Sequence, residues 1–273
     1  MANEYLSVAD NLRTKGYQFE MGKYISEGWK KGTAVIGWFI LFLIISVIFS
    51  TVSGFIPVIG SLANSWVISP ALSAGLILFM KHKYDKDESD FGLIFKGFTT
   101  NFGHVILVNI LVGLISILGL LPFILSFLSA FDFDTLIDIS QMANDPSAIQ
   151  EMGQMILGSM DSIGLGLFIS IILILIITVL FSLANYFVVV GGLTAVASIG
   201  ASFGIVKKAF FPILGFFIVL GLINVVGILC LVVGVLVTMP VTIMAMYAMF
   251  HHIVASKVTE DLSAVSDDDV LDA

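Results

Sequence analysis

"AFFPILGFFIVLGLINVVGILCLVVGVLVTMPVTIMAMYAMFHHIV", residues 209–254, contains no Asp, Glu, Lys or Arg, and its reading decides the fold. As one helix at 1.5 Å per residue it would be about 70 Å long, more than twice the roughly 30 Å of a bilayer's hydrocarbon core. It must therefore fold back on itself. Placing the reversal near Cys230–Gly234 gives two spans, about 209–230 and 233–254; leaving it whole gives a five-span chain.

Working outward, the same length test marks four earlier spans: 33–56, 62–80, 102–130 and 165–190. The third is long enough to tilt, or to bend at Pro122. The composition agrees, with 58% hydrophobic and 12% charged residues and a mean hydropathy of +1.07. A soluble domain carries about 25% charged residues. The sequence thus predicts an all-α polytopic membrane protein with six transmembrane helices. "MANEYLSVADNLRTKGYQFE" at the N-terminus has no apolar core of a signal peptide, so the first run should be a retained anchor. The single Cys230 excludes an internal disulfide and any cysteine-based metal cluster; it reads as a small buried apolar residue.

The charges test the span count. All twelve Lys and Arg fall before span one, between spans two and three, between four and five, or after six. The alternate connections, 57–61, 131–164 and 231–232, carry none. Basic residues collect on the cytoplasmic side, so both termini are expected inside. The resulting organisation is a cytoplasmic segment 1–32 with an interfacial helix, a transmembrane domain 33–254 with an acidic exterior loop 131–164, and an acidic cytoplasmic tail 255–273. No acidic or basic residue lies within any of these spans, which argues against proton pumping, voltage sensing or an ion relay.

A short pattern recurs ahead of the spans that start inside. "FGLIFKGF" (91–98) places Phe91, Ile94, Phe95 and Phe98 on one helical face, and "FGIVKKAF" (203–210) keeps Phe203, Val206 and Phe210 there. Met21, Tyr24, Ile25 and Trp29 make a similar stripe ending in "WKKG". Three interfacial helices are expected, with Trp29, Lys30, Lys31, Lys96, Lys207 and Lys208 at lipid headgroups. "LVGLISILGLL" (111–121) also aligns with "VLGLINVVGIL" (219–229), and Pro70 and His82 align with Pro240 and His252, suggesting an internal repeat.

With "SEGWKKG", "FGLIFKGF", "FGIVKKAF" and a "SPALSAG" second span, the chain resembles a loose group of bacterial six-span inner-membrane proteins. These include YciC-like proteins and the membrane domain fused to some glycerophosphodiester phosphodiesterases. The resemblance covers most of 18–256 and implies a bacterial inner-membrane location. It brings no catalytic residues with it. The 131–164 loop and the acidic tail are not features of that group.

Other segments carry narrower expectations. In the exterior loop, Asp132, Asp134 and Asp138 are weighed as a cation site against a solvated acidic face, and the face is preferred for want of a glycine-bearing ligand loop. Asp145 and Pro146 should start an amphipathic surface helix bearing Ile149, Met152, Ile156 and Met160. His82 and His252 would meet at the cytoplasmic rim if the repeats pack as pairs, while adjacent His251 and His252 should face apart. Asn109, Asn185 and Asn224 are the strongest polar groups within the spans. Each is a candidate for a polar path or for helix–helix bonding, the second being preferred. "GGLTAVASIGAS" (191–202) reads as a packed or re-entrant connection. The acid-rich tail should be disordered.

No nucleotide loop, nucleophile elbow or cleft with paired carboxylates is present, so no enzyme activity, cofactor, metal or nucleic-acid partner is expected. The leading expectation is a non-enzymatic accessory or scaffold subunit, whose partners are membrane lipids and another membrane protein or a second copy of itself. The alternative is a transporter or channel-like protein for lipid or another small apolar molecule.

Overall fold

A computed structural model describes residues 2–56, 58–130 and 146–271, and every regular element among them is a helix. Six of these helical stretches are long and apolar enough to cross a membrane: Ile36–Gly54, Ile59–Lys86, Phe102–Ser129, Ile163–Val189, Phe210–Leu229 and Val233–Ser263. The chain is an all-α polytopic membrane protein. The 209–254 block does split in two. Helix α11 (Phe210–Leu229) ends and α12 (Leu231–Phe250) begins on either side of Cys230. The reversal is tight, since a Cβ on Gly234 would lie 2.2 Å from the carbonyl oxygen of Gly227. Cys230 sits at its tip and is exposed, contrary to its reading as a buried residue.

The described residues form two compact units, Leu111–Thr178 and those on either side of it. In the smaller unit, α7 (Phe102–Ala130) continues through Pro122. There the N–H of Phe123 donates to Ser170 Oγ of α8 (Pro146–Leu180) at 3.0 Å. Close approach is set by Gly166, where a Cβ would meet the Ser126 hydroxyl at 2.3 Å. Pro146 starts α8 as expected, and the helix runs without a break into the fourth span, whose apolar stretch begins at Ile163. Asp132, Asp134, Asp138 and Asp145 lie outside the described residues.

The larger unit is organised around α2 (Met21–Thr33), which lies against α12. Gly28 and Gly32, one turn apart, bring the two backbones together. A Cβ on Gly28 would sit 2.5 Å from that of Ala245, and one on Gly32 2.6 Å from the Cα of Val241. The face that α2 buries is therefore Tyr24, Gly28 and Gly32, so Tyr24 of the aromatic stripe expected to face lipid packs inward instead. Between α2 and its neighbours, the side chains of Tyr24, Phe79, Phe187, Phe216, Tyr247 and Phe250 are fully buried.

The three recurring segments fold differently from one another. The octet 91–98 makes only one helical turn, α6 (Leu93–Lys96), because its backbone is pressed onto α5 (Ser69–Lys86). A Cβ on Gly75 would lie 1.8 Å from the Ile94 oxygen, and one on Gly97 2.0 Å from that of Ala71. Ile94 is buried, Phe91 stacks on Trp38 at 5.6 Å and Phe98 lies 6.3 Å from Phe49. These side chains pack on the first span, α3 (Ile36–Gly54), so the octet does not form the aromatic face predicted for it.

The third segment is the end of a longer helix, α10 (Ala195–Lys208), which absorbs most of "GGLTAVASIGAS". No re-entrant connection forms. Ser202, fully buried, donates to the Leu180 oxygen at 2.8 Å and accepts from the Leu183 N–H at 3.2 Å, bridging the break between α8 and the short α9 (Ala184–Val189).

Both chain ends add elements. The N-terminal α1 (Ala2–Lys15) buries Tyr5, Val8, Ala9 and Leu12, an i, i+3, i+4, i+7 stripe. Past α12, a π-helical turn (His251–Ala255) leads directly into α13 (Ser256–Leu271). The expected disordered tail is therefore helical. Val258, almost fully buried, anchors its first turn, an apolar contact that the charge count concealed.

Candidate polar site at the basic end

Helix α2, the lysine-bearing end of α5 and the π-helical turn after α12 converge on one polar cluster. Lys31 of α2 reaches across to α5, where its ammonium donates to the Tyr84 carbonyl at 2.6 Å and lies 3.9 Å from the centre of the Tyr84 ring. That carbonyl is in the last turn of α5, where oxygens lack intrahelical partners, so the contact acts as a cap.

The Tyr84 hydroxyl is at the centre of the cluster. It donates to Glu27 Oε2 of α2 and lies 3.1 Å from His252 Nε2, which is itself 2.9 Å from the same Glu27 oxygen. Hydrogen-bond bookkeeping then assigns the histidine. Tyr84 has one proton, used on Glu27, and an ionised carboxylate only accepts, so Nε2 must carry a hydrogen shared between the two oxygens. Burial alone would raise the Glu27 carboxyl, but the hydrogen bonds from Tyr84 and His252 and the attraction of His252 and Lys23 outweigh it. The carboxyl is held below its ordinary value.

A second set of contacts adjoins the first. Asp85 accepts from Lys81 at 2.8 Å and from the Tyr247 hydroxyl at 3.3 Å, and lies 3.9 Å from His251 Nε2. His251 and His252 both reach Tyr84, with ring centroids 4.8 Å and 6.4 Å from it. The expectation that adjacent histidines face apart fails because Tyr84 is wedged between them at the π-helical turn. His82 does not meet His252; it pairs with Glu88 at 3.4 Å. On its outer side His252 stacks on Tyr24 and borders a cavity of about 340 Å³ that Glu20, Lys23 and Lys257 also line.

Other sequence-predicted residues are placed as follows. Trp29, Lys30, Lys96, Lys207 and Lys208 are exposed, whereas Lys31 is half-buried and donates to the Tyr84 carbonyl. The asparagines are used in pairs. Asn109 Nδ2 donates to Asn185 Oδ1 at 3.2 Å, and Asn224 Nδ2 to Thr242 Oγ1 at 2.8 Å. Asn109 and Asn224 thus bond to different neighbours and do not share one polar path. Among the described residues, no three His, Cys, Asp or Glu side chains are arranged to hold a metal ion.

Sequence reasoning missed the Glu27–Tyr84–His252 triangle altogether, since Glu27 and His252 are 225 residues apart. The signal available was weak: a carboxylate beside the two lysines of "SEGWKKG", and a tyrosine and two histidines at span ends. Chemically the triangle joins Glu27 Oε2, the Tyr84 hydroxyl and His252 Nε2 to one another, so it ties together α2, α5 and the turn after α12. Compared with protein-family models, curated proteins and solved structures, the chain matches none.

Proposed function

We propose that this protein is a non-enzymatic accessory or scaffold subunit of a membrane complex. The observation that carries the reading is the first span. Helix α3 buries only Phe39 and Ser53, while Ile40, Leu41, Ile44, Val47, Ile48 and Val52 stand exposed. A wide apolar face on one span suits a protein that binds laterally in the membrane. The asparagines support the same reading, because Asn109 bonds across to Asn185 and Asn224 to Thr242, as helix–helix contacts do.

Native mass spectrometry of the protein extracted from its own membrane in mild detergent tests this. A stoichiometric partner or a second copy is the expected result. A lone chain that always carries a lipid would overturn the subunit reading and shift the function to lipid transport.

The distribution of lysine and arginine supports an orientation with both termini cytoplasmic, and the resemblance to bacterial six-span proteins supports a bacterial inner-membrane location. Cys230, exposed at the α11–α12 reversal, is a native reporter of it. A membrane-impermeant maleimide should label Cys230 in intact cells, and should not label a cysteine introduced at Ser263. The reverse pattern would invert the topology.

A further inference from the structure

We propose that the groove between α1 and α10 binds the phosphate group of an anionic membrane lipid. The groove has a volume of about 820 Å³ and is lined by Arg13, Thr14, Gly200, Phe203, Lys207 and Lys208, with Gly204 at its floor. The inference is independent of the subunit reading, because a lipid site would serve a lone chain and a complex alike.

The charge balance is the first argument. Arg13 lies across Gly204, its Cδ 3.1 Å from where a Cβ would be, and Tyr5 lies against Gly191. The two helices therefore run parallel and bring their C-terminal ends together. Each such end is equivalent to about half a negative charge, together about one. Arg13, Lys207 and Lys208 bring three positive charges, and among the described residues none of them has a carboxylate within ion-pair distance. Asp10, one turn back on α1, lines the adjoining smaller cavity with Arg13 but makes no ion pair with it. The excess is about two positive charges at one opening, with guanidinium geometry suited to two oxygens of a phosphate.

The wall of the groove is the second argument. Phe203 is 42% exposed and stacks on Phe181 at 6.3 Å, which belongs to the fourth span. The Lys207 ammonium stands 5.7 Å from the centre of the Phe203 ring. Directly after Lys208 the chain enters the fifth span, where Phe211 is almost wholly exposed. Cations above and aromatic surface below, at the point where two spans meet the membrane surface, suit a ligand with a phosphate head and acyl chains. Glycine at 200 and 204 keeps the space open, and nothing lies within 4 Å of a Cβ built on Gly200.

The test is the thermal unfolding midpoint of the full chain in neutral detergent, titrated with phosphatidylglycerol, phosphatidylcholine or inorganic phosphate. A ligand of the native state raises the midpoint in proportion to its binding. Phosphatidylglycerol should be half-effective at a concentration about tenfold below that of phosphatidylcholine, a difference of about 1.4 kcal/mol. Arg13→Gln/Lys207→Gln/Lys208→Gln should remove the preference. Lys207→Gln/Lys208→Gln, at two exposed positions, should reduce it without touching α1 packing. A charge-matched variant, Lys15→Gln/Lys86→Gln/Lys96→Gln, should keep it. Equal response to the two lipids, or equal loss in the charge-matched variant, would overturn the site. Stabilisation by inorganic phosphate as strong as by phosphatidylglycerol, and lost in the first variant, would keep the anion site and overturn a lipid as its source.

Discussion

Gly28→Val and Gly32→Val are each expected to destabilise the protein by about 3 kcal/mol or more, at or above the upper end of overpacking costs. The reason is backbone proximity. The nearest atoms to a new side chain at Gly32 are the Val241 Cα and N and the Pro240 oxygen, at 2.6 to 2.9 Å. Main chain cannot swing aside as a flexible side chain can, so α2 would have to lift off α12. Even alanine should be harmful at 28. In an exposed helix interior Gly→Ala is stabilising by roughly 0.5–1 kcal/mol. Gly22 in the same helix has nothing within 4 Å of a Cβ, so Gly22→Ala should be neutral or stabilising. Opposite signs at 22 and 28, read as unfolding midpoints in detergent, are the expected signature. A Gly28→Val protein as stable as wild type would mean that α2 does not lie on α12.

The second large effect belongs to the Glu27–Tyr84–His252 triangle. Tyr84→Phe removes the hydroxyl that donates to Glu27 and lies beside His252. Hydrogen bonds to charged groups are worth about 1.5–3 kcal/mol, and the partial exposure of Glu27 lets water replace part of it. A loss of about 1.5 kcal/mol is expected for Tyr84→Phe and a similar one for Glu27→Gln. Because the residues act as one unit, the double variant should lose less than the sum. The pH dependence follows from the sign of the Glu27 shift. Its folded-state carboxyl is held below the ordinary 4.5, so its contribution is fully present above that pH and disappears as the pH falls through the lower folded value. Wild type should therefore lose more stability than Glu27→Gln on acidification from about pH 5 to pH 3. Parallel acid curves for the two proteins would sink the assignment.

Span count was legible because it depends on one-dimensional quantities, apolar run length and the position of charge. The break at Cys230 and the start of α8 at Pro146 follow from length and from the rigid φ of proline. Tertiary contacts were not legible in the same way. The stripe Met21–Tyr24–Ile25–Trp29 is a real helical periodicity, yet the face that packs holds Gly28 and Gly32. Hydrophobicity does not report that two backbones will touch, and small size is the feature that allows it. The octet "FGLIFKGF" has the spacing of a helix, but Gly97 against Ala71 and Gly75 against Ile94 trade helix length for contact with α5. Charge misled at the tail, where six acids in the sequence obscured the anchoring of Val258. The N-terminal stripe Tyr5–Val8–Ala9–Leu12 has a helical period, but it lies in a segment that is polar on average, which masks it in the composition.

The last span, its π-helical turn and α13 form one uninterrupted helical path from Leu231 to Leu271, about 60 Å at 1.5 Å per residue. On its way out of the bilayer that path passes the His251–Ala255 turn, where His252 meets Glu27 and Tyr84. A displacement of the acidic end would therefore reach these polar contacts before it reached the span.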